Sequence, residues 1–310
     1  MNELERQIES LLVSQKQEWK LAHDNYASLA HVQTRCLEGE DGPVFLQFNP
    51  GRIRSSCARI DKASLEARPC FFCHRPKEQR SVVYNDSFEL MVNPYPIFKD
   101  HLTIPLRWHE RQQIKPYFRD MLDIAFALPE YALFYNGPKC GASAPDHMHF
   151  QAGRKEDFPV IRNWGKIPKQ VVRQDGQACL FVSIHTSPVM FVWASESLDG
   201  AVDIFEMLYA KMEIRPGDDE PMMNLLTWTE GKRRFTCLFP RRELRPSCYY
   251  AEGDANILIS PATVEMSGLF VVPLEKDFKK ITYSDLKTVW KEVSITEEEK
   301  ERLVGEIKEE

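Results

Sequence analysis

Two imidazoles and a carboxamide stand at alternate positions in the run His147-Met148-His149-Phe150-Gln151. In an extended strand alternate side chains share one face, roughly 7 Å apart, so His147, His149 and Gln151 are expected to project together while Met148 and Phe150 turn into a core. Three polar groups so placed match the reach of one phosphate. Just upstream, Asn136-Gly137-Pro138-Lys139-Cys140-Gly141-Ala142-Ser143 is a loop of small residues whose backbone N–H groups can face phosphate oxygens, with the Ser143 hydroxyl as a further donor. Taken alone, a His-x-His pair is more often two half-buried polar residues or a pair of metal ligands. A second concentration of chemistry is Cys70-Phe71-Phe72-Cys73, where two thiols separated by two residues can turn back onto one metal ion. A redox dithiol or two unconnected thiols are the other readings, and no thioredoxin-like βαβ pattern surrounds Cys70.

The elements that must position these groups are short. Strands are expected at 81–84, 88–92 and 101–105, with Asn93-Pro94-Tyr95-Pro96 turning between the last two. A helix follows over 114–125, ended by Pro129, and then strands at 131–135 and 147–152 flank the small-residue loop. The second half repeats this order more weakly, with strands at 178–184 and 189–194, a helix at 202–212 and strands near 224–228 and 235–239. There the His-x-His position reads about Thr236-Cys237-Leu238, which leaves the chemistry to the first half. Residues 3–34 have an irregular helical pattern, Val44-Phe45-Leu46 is a strand candidate, and helices over 283–293 and 296–308 carry mixed charges that read as a solvated face.

With 310 residues, 43% hydrophobic and 28% charged, the chain is expected to be globular and long enough for two domains. Its 40 basic and 46 acidic residues give a net charge of −6, which argues against binding nucleic acid or anionic membrane by bulk charge. The N-terminal run has acidic residues at once and no uninterrupted apolar core, so neither a signal peptide nor a membrane span is expected, and the cytoplasm is the expected location. Eight scattered cysteines fit buried free thiols better than a secreted disulfide framework.

Four stretches in order resemble the transferase branch of the histidine triad superfamily: VNPYPIFKDHLTIPLRWH, NGPKCGAS, HMHFQAG and PATVEMSGLFVV. That branch includes galactose-1-phosphate uridylyltransferase, diadenosine tetraphosphate phosphorylase and the GDP-hexose phosphorylases. The resemblance implies an α+β protein of two histidine-triad-like lobes, each an antiparallel sheet with a flanking helix, plus N- and C-terminal helices. Residues 1–155 would form the catalytic lobe with the N-terminal helices, and 156–310 a degenerate second lobe with the C-terminal helices. It makes His149 the nucleophile, with Gln151 bonding the transferred phosphoryl group where the family's hydrolases carry a third histidine. A glutamine holds phosphoryl oxygens without an ionisable proton, so it does less to encourage water and favours a transferase.

The same resemblance, to the uridylyltransferases, implies a structural zinc on Cys70, Cys73, His109 and His147, with His74 and His101 as rival ligands. The gaps from 73 to 109 and from 109 to 147 are too long for a zinc finger and suit ligands gathered by a sheet. Asn93 to Phe98 match the segment that wraps base and ribose, with Asn93 bonding and Phe98 or Tyr95 walling the base, although a plain turn accounts for them equally well. Asn136, Gly141 and Ser143 would cradle phosphate. Arg52 and Arg54, in QFNPGRIRSS, resemble an arginine-bearing segment of the GDP-hexose phosphorylases. The basic residues Lys232, Arg233, Arg234, Arg241, Arg242 and Arg245 read as a solvated hairpin. The implied partners are a nucleotide sugar or dinucleoside polyphosphate and a phosphate or sugar-phosphate acceptor. Relatives occur as monomers and as homodimers. A hydrolase of the same fold, or a non-catalytic zinc-stabilised nucleotide-binding module, are the competing readings.

Overall fold

Short β-rich runs broken by turn residues pair into one sheet of ten strands. The computed structural model describes residues 2–40, 42–53, 57, 60–184 and 186–309, apart from the Lys62 side chain. The first half contributes β3 (Ser81–Tyr84), β4 (Phe88–Val92), β5 (Leu102–Pro105), β6 (Tyr131–Asn136) and β7 (His149–Arg154). The second contributes β8 (Lys169–Asp175), β9 (Ala178–Ser183), β10 (Phe191–Ser195), β11 (Met223–Glu230) and β12 (Arg233–Pro240). Their spatial order is β3-β4-β5-β7-β6-β11-β12-β10-β9-β8, and every pairing is antiparallel. Asn85 and Asp86, both at positive φ, close the β3–β4 hairpin as its tight turn requires.

The two halves repeat one another strand for strand, with β12 in the place of β7. They meet where β6 pairs with β11, Phe134 opposite Leu226. Each half supplies five antiparallel strands, as expected of the two lobes, and the two sets join edge to edge in one sheet. The reason lies in β6, which is buried at all six positions, and in β11, buried at all but the last. An edge strand apolar on both faces would leave its backbone groups and side chains exposed, and mutual pairing covers both.

One face of the sheet is covered by α1 (Glu3–Glu18), α3 (Phe118–Ala127), α4 (Leu198–Lys211) and α6 (Glu297–Lys308), with α2 (Lys20–Ser28) beside α1. The other face packs against α5 (Tyr283–Val293) and a small sheet in which β2 (Val44–Phe48) lies between antiparallel β1 (Gln33–Leu37) and parallel β13 (Leu269–Val272). The final two helices therefore lie on opposite faces. Their charged sides are solvated as expected, but Leu286, Val289, Trp290 and Val293 of α5 and Leu303, Val304 and Ile307 of α6 are core. The helical spacing of those apolar residues was outweighed in the sequence by the charges between them.

Buried polar groups tie the C-terminal segment to the central strands. The Asn136 side-chain oxygen accepts from Asn224 Nδ2 (3.0 Å), Thr263 N (2.9 Å) and Thr263 Oγ1 (2.7 Å). Arg241, 3% exposed, donates to Asn224 Oδ1 and to the carbonyls of Pro261, Val293, Glu243 and Leu244. Arg241 is thus a buried joint, not part of a solvated hairpin. Arg241→Leu should leave these acceptors unpaired and lower the free energy of unfolding by roughly 3 kcal/mol or more; denaturant titration of both proteins measures it.

Candidate active site and metal centre

The strand carrying the central motif begins at His149, two residues later than its alternation suggests. The preceding residues peel away because loop partners take their backbone groups: Met148 N–H donates to Glu110 O (2.6 Å), and Leu106 N–H donates to Met148 O (2.9 Å). Both imidazoles nevertheless stay on one side, each about 5 Å from the Phe72 ring, at 5.1 Å for His147 and 5.0 Å for His149. Met148 and Phe150 are fully buried in the opposite core.

His149 Nδ1–H donates to the His147 carbonyl at 2.8 Å. Nε2 therefore carries the lone pair, and among the described residues it meets no hydrogen-bond partner. The residue is 4% exposed, and burial pushes its basicity down to about 4, outweighing the carbonyl bond that favours the cation. At neutral pH this ring is an uncharged nucleophile or base.

Gln151 lies opposite Thr103 on one side and Phe134 on the other. Its Oε1 accepts from His101 Nε2–H (2.9 Å) and from Asn93 Nδ2 (3.4 Å). The tautomer of His101 follows from the backbone, since Ile97 N–H donates to its Nδ1 (3.2 Å). With its oxygen engaged in this way, Gln151 has both amide hydrogens left to donate. His101 is fully buried, and desolvation, with the nearby Arg52 charge, pushes it down to about 3. Beyond packing, it orients Gln151.

Cys70, Cys73, His109 and His147 converge, their ligand atoms all within 4.8 Å of one another. Cys70 Sγ lies 3.2 Å from His147 Nδ1, and Cys73 Sγ lies 3.4 Å from His109 Nδ1 and 3.6 Å from His147 Nδ1. Tetrahedral ligation by sulfur and nitrogen puts neighbouring donors about 3.5 Å apart. His147 Nε2–H donates to Leu106 O at 2.8 Å, which leaves Nδ1 free to ligate. The four residues thus fit a metal ion. Arg68 holds the cysteine loop against the motif through a bidentate pair with Asp146, at 2.6 and 3.3 Å. His74 Nδ1 contacts Cys70 O, and His101 belongs to Gln151, so neither joins the cluster.

The remaining candidates are placed as follows. Asn93 spends its amide on Thr103 and Gln151 and its oxygen on Tyr95 N–H. Phe98, expected to wall a base, is instead 3% exposed and packed against Phe158, because the backbone of Gly153 lets it approach where a Cβ would meet its ring at 2.7 Å. Asn136 gives its side-chain oxygen to the joint described above. Gly141, at φ +95°, lies where a Cβ would stand 2.5 Å from Ala262 Cβ, so the loop needs glycine there. Ser143 is exposed and Arg52 is half-buried, donating to Tyr95 O (2.6 Å). Arg54 lies outside the described residues.

Sequence reasoning missed Gln112, 1% exposed and bonded to the His149 backbone, and Glu220, a buried carboxyl that accepts from Tyr135 Oη and Ile114 N–H and that burial pushes up to about 7. Gln112 stands in the polar run Glu110-Arg111-Gln112-Gln113, which carries no signal of burial. A cleft of about 1130 Å³, lined by Cys70, His109, Gln112, Lys139, Asp146 and Glu220 among others, runs beside the motif but does not include His149. The hydrogen bonds of the rings, which decide where lone pairs point, locate the chemistry better than the width of the opening.

Residues 11–154 match a family described as a domain of unknown function, DUF4922, and residues 217–310 match the GDPGP1-like C-terminal domain. No curated protein matches the sequence. Yeast Ap4A phosphorylase Apa2 superposes with a TM-score of 0.56 at 13% identity, covering 89% of this chain and 94% of that one. The chain therefore shares the fold of Ap4A phosphorylase Apa2. Apa2 in complex with Ap4A superposes at 0.53, with 14% identity over 89% of this chain and 96% of that one. Among the described residues no helix is long and apolar enough to cross a membrane.

Two outcomes follow from the geometry of the histidines and cysteines. Purified protein should carry about one divalent metal ion per chain by elemental analysis, and Cys73→Ser should lose it and melt at lower temperature. His101 is neutral when folded down to about pH 3 but titrates near 6.5 unfolded, so the unfolded state binds the extra proton and stability should fall as pH drops from 6.5 toward 4. Urea titrations of His101→Gln should show a shallower fall than wild type, by up to about 1.4 kcal/mol per pH unit.

Proposed function

We propose that the chain is a nucleotidyltransferase or phosphorylase that acts on a nucleotide sugar or dinucleoside polyphosphate through a nucleotidyl group carried on His149. The observation that carries this reading is the bond from His149 Nδ1–H to the His147 carbonyl, which leaves a neutral Nε2 lone pair on the Gln151 side of the strand. Nε2 attacks the α-phosphorus, the P–N bond forms, and the bond to the leaving oxygen breaks, releasing sugar phosphate or the remaining nucleotide. The charge that develops on the imidazole is held by the His147 carbonyl. A phosphate or sugar-phosphate oxygen then attacks from the opposite side, the P–N bond breaks, and Nε2 regains its lone pair.

In this reading the amide hydrogens of Gln151 bind the phosphoryl oxygens, and the backbone from Gly141 to Ser143, with Arg52, faces the neighbouring phosphate. Asn93 acts through Gln151. Because His149 is buried against Phe72, the Phe72 side chain turns aside when substrate binds, while the cysteines on either side of it stay in place. A structural zinc on Cys70, Cys73, His109 and Nδ1 of His147 would cross-link that loop to the strand and fix the carbonyl that His149 uses. The first half, to residue 155, is the catalytic lobe, and the second is its degenerate copy. Similarity in fold to an Ap4A phosphorylase supports the reaction class but leaves base and acceptor to experiment.

Incubation with Ap4A and a panel of ADP-, GDP- and UDP-hexoses should give an acid-labile mass addition of one nucleoside monophosphate, discharged by inorganic phosphate to nucleoside diphosphate. His149→Ala should remove the adduct and lower turnover by at least about a thousandfold with the fold intact by circular dichroism. An equally active His149→Ala variant would exclude the nucleophile, and release of monophosphate without phosphate present would point to a hydrolase.

A further inference from the structure

The β6–β7 ladder runs from Tyr131 opposite Arg154 to Phe134 opposite Gln151, and its register would next bring Asn136 opposite His149. That pair does not form. The Gln112 carboxamide occupies the gap instead: its Oε1 accepts from His149 N–H (2.9 Å), and its Nε2 donates to His149 O (3.0 Å) and Asn136 O (3.0 Å). One side chain therefore does the work of a peptide unit inserted between two strands. Both amide hydrogens and the oxygen are engaged, in a residue only 1% exposed.

The wedge has consequences on both sides. It lets β7 diverge from β6 at His149, so that the His147 carbonyl turns to the His149 ring while the His147 ring turns to the cysteines. It also satisfies both backbone groups of His149, which sets the direction in which the side chain leaves the strand. Gln112 is itself held: its N–H donates to Pro145 O, and two residues on Ile114 N–H donates to Glu220 Oε2 (2.8 Å), a carboxyl from the second half of the chain that also accepts from Tyr135 Oη (2.6 Å).

We infer that Gln112 is a positioning residue for the reaction of His149: it fixes the backbone of residue 149 and so the aim of Nε2, and the second half of the chain contributes to that aim through Glu220. The inference rests on the reading of His149 as the nucleophile. A carboxamide clamp that acts by aim alters the chemical step and leaves substrate binding alone, because the carboxamide of Gln112 is committed to the backbone of His149 and Asn136; misplacement of a reacting atom by about an ångström is enough to cost orders of magnitude in rate.

The test uses whichever of Ap4A and the ADP-, GDP- and UDP-hexoses labels the wild-type protein fastest. Single-turnover labelling rates and the donor dissociation constant are measured for wild type, Gln112→Met, the shorter Gln112→Asn and, as a control for lost stability, Thr227→Val, which removes buried hydrogen bonds in β11. The expected result is labelling slowed at least tenfold in Gln112→Met and by a smaller factor in Gln112→Asn, with donor affinity within twofold of wild type and Thr227→Val labelling normally. Labelling within twofold of wild type in both Gln112 variants would overturn the inference, as would affinity falling in step with rate. If wild type takes no label from any donor, the reading of His149 fails first, and that outcome is distinct because it precedes any comparison of variants.

Discussion

One peptide carbonyl governs the site. The oxygen of His147 accepts from His149 Nδ1, and this bond alone determines that the free lone pair of His149 sits on Nε2. Much else in the first half serves to hold that carbonyl in place. The ring of the same residue is tied at Nε2 to Leu106 and presents Nδ1 to the cysteines, so the backbone between the two histidines is anchored through side chains at both ends. Arg68 and Asp146 fasten the cysteine loop to the start of the motif, and the Gln112 wedge fastens its end.

The position of the motif in the sheet gives this local arrangement its rigidity. β7 lies between β5 and β6, inside a ten-stranded sheet with packed layers on both faces, so the main chain beyond His149 has little freedom to shift. The second half completes the sheet through β11 and the core through α4 and α6, and it reaches the neighbourhood of the motif through Asn224, Glu220 and Thr263. A structural repeat with no histidines in β12 is thus necessary to its partner as scaffold, as two faces of buried apolar strand must be covered by something.

Electrostatics inside the site follow from burial more than from charge. His149 and His101 are both held neutral because desolvation outweighs what favours the cation, the His147 carbonyl and the Asp146 charge at one and the Gln151 bond at the other. The consequence for Gln151 is directional: a neutral, backbone-fixed His101 can only donate to the carboxamide oxygen, which turns the amide hydrogens the other way. In a chain with a net charge of −6, the proposed binding of a phosphate would depend on such oriented N–H groups and a few arginines.

By itself the sequence determined the order and type of most strands, the repeat, and the alternation that puts His149 and Gln151 on one side of β7. Those features are local: period-two burial, turn residues and helical spacing report directly on neighbours along the chain. It also marked Cys70, Cys73, His109 and His147, the four residues that gather into one cluster, through one resemblance in spacing. The strands with all-apolar or exposed patterns, β13 and β8, carried no alternation to reveal them. Only the tertiary structure decided that the two sheets fuse, since the pairing of β6 with β11 joins residues about ninety positions apart. It alone buried Arg241 and Phe98, turned His101 from a rival metal ligand into the partner of Gln151, and made a wedge of Gln112. A polar side chain looks the same in sequence whether water or a backbone gap will satisfy it, and the choice is made by the packing of distant segments.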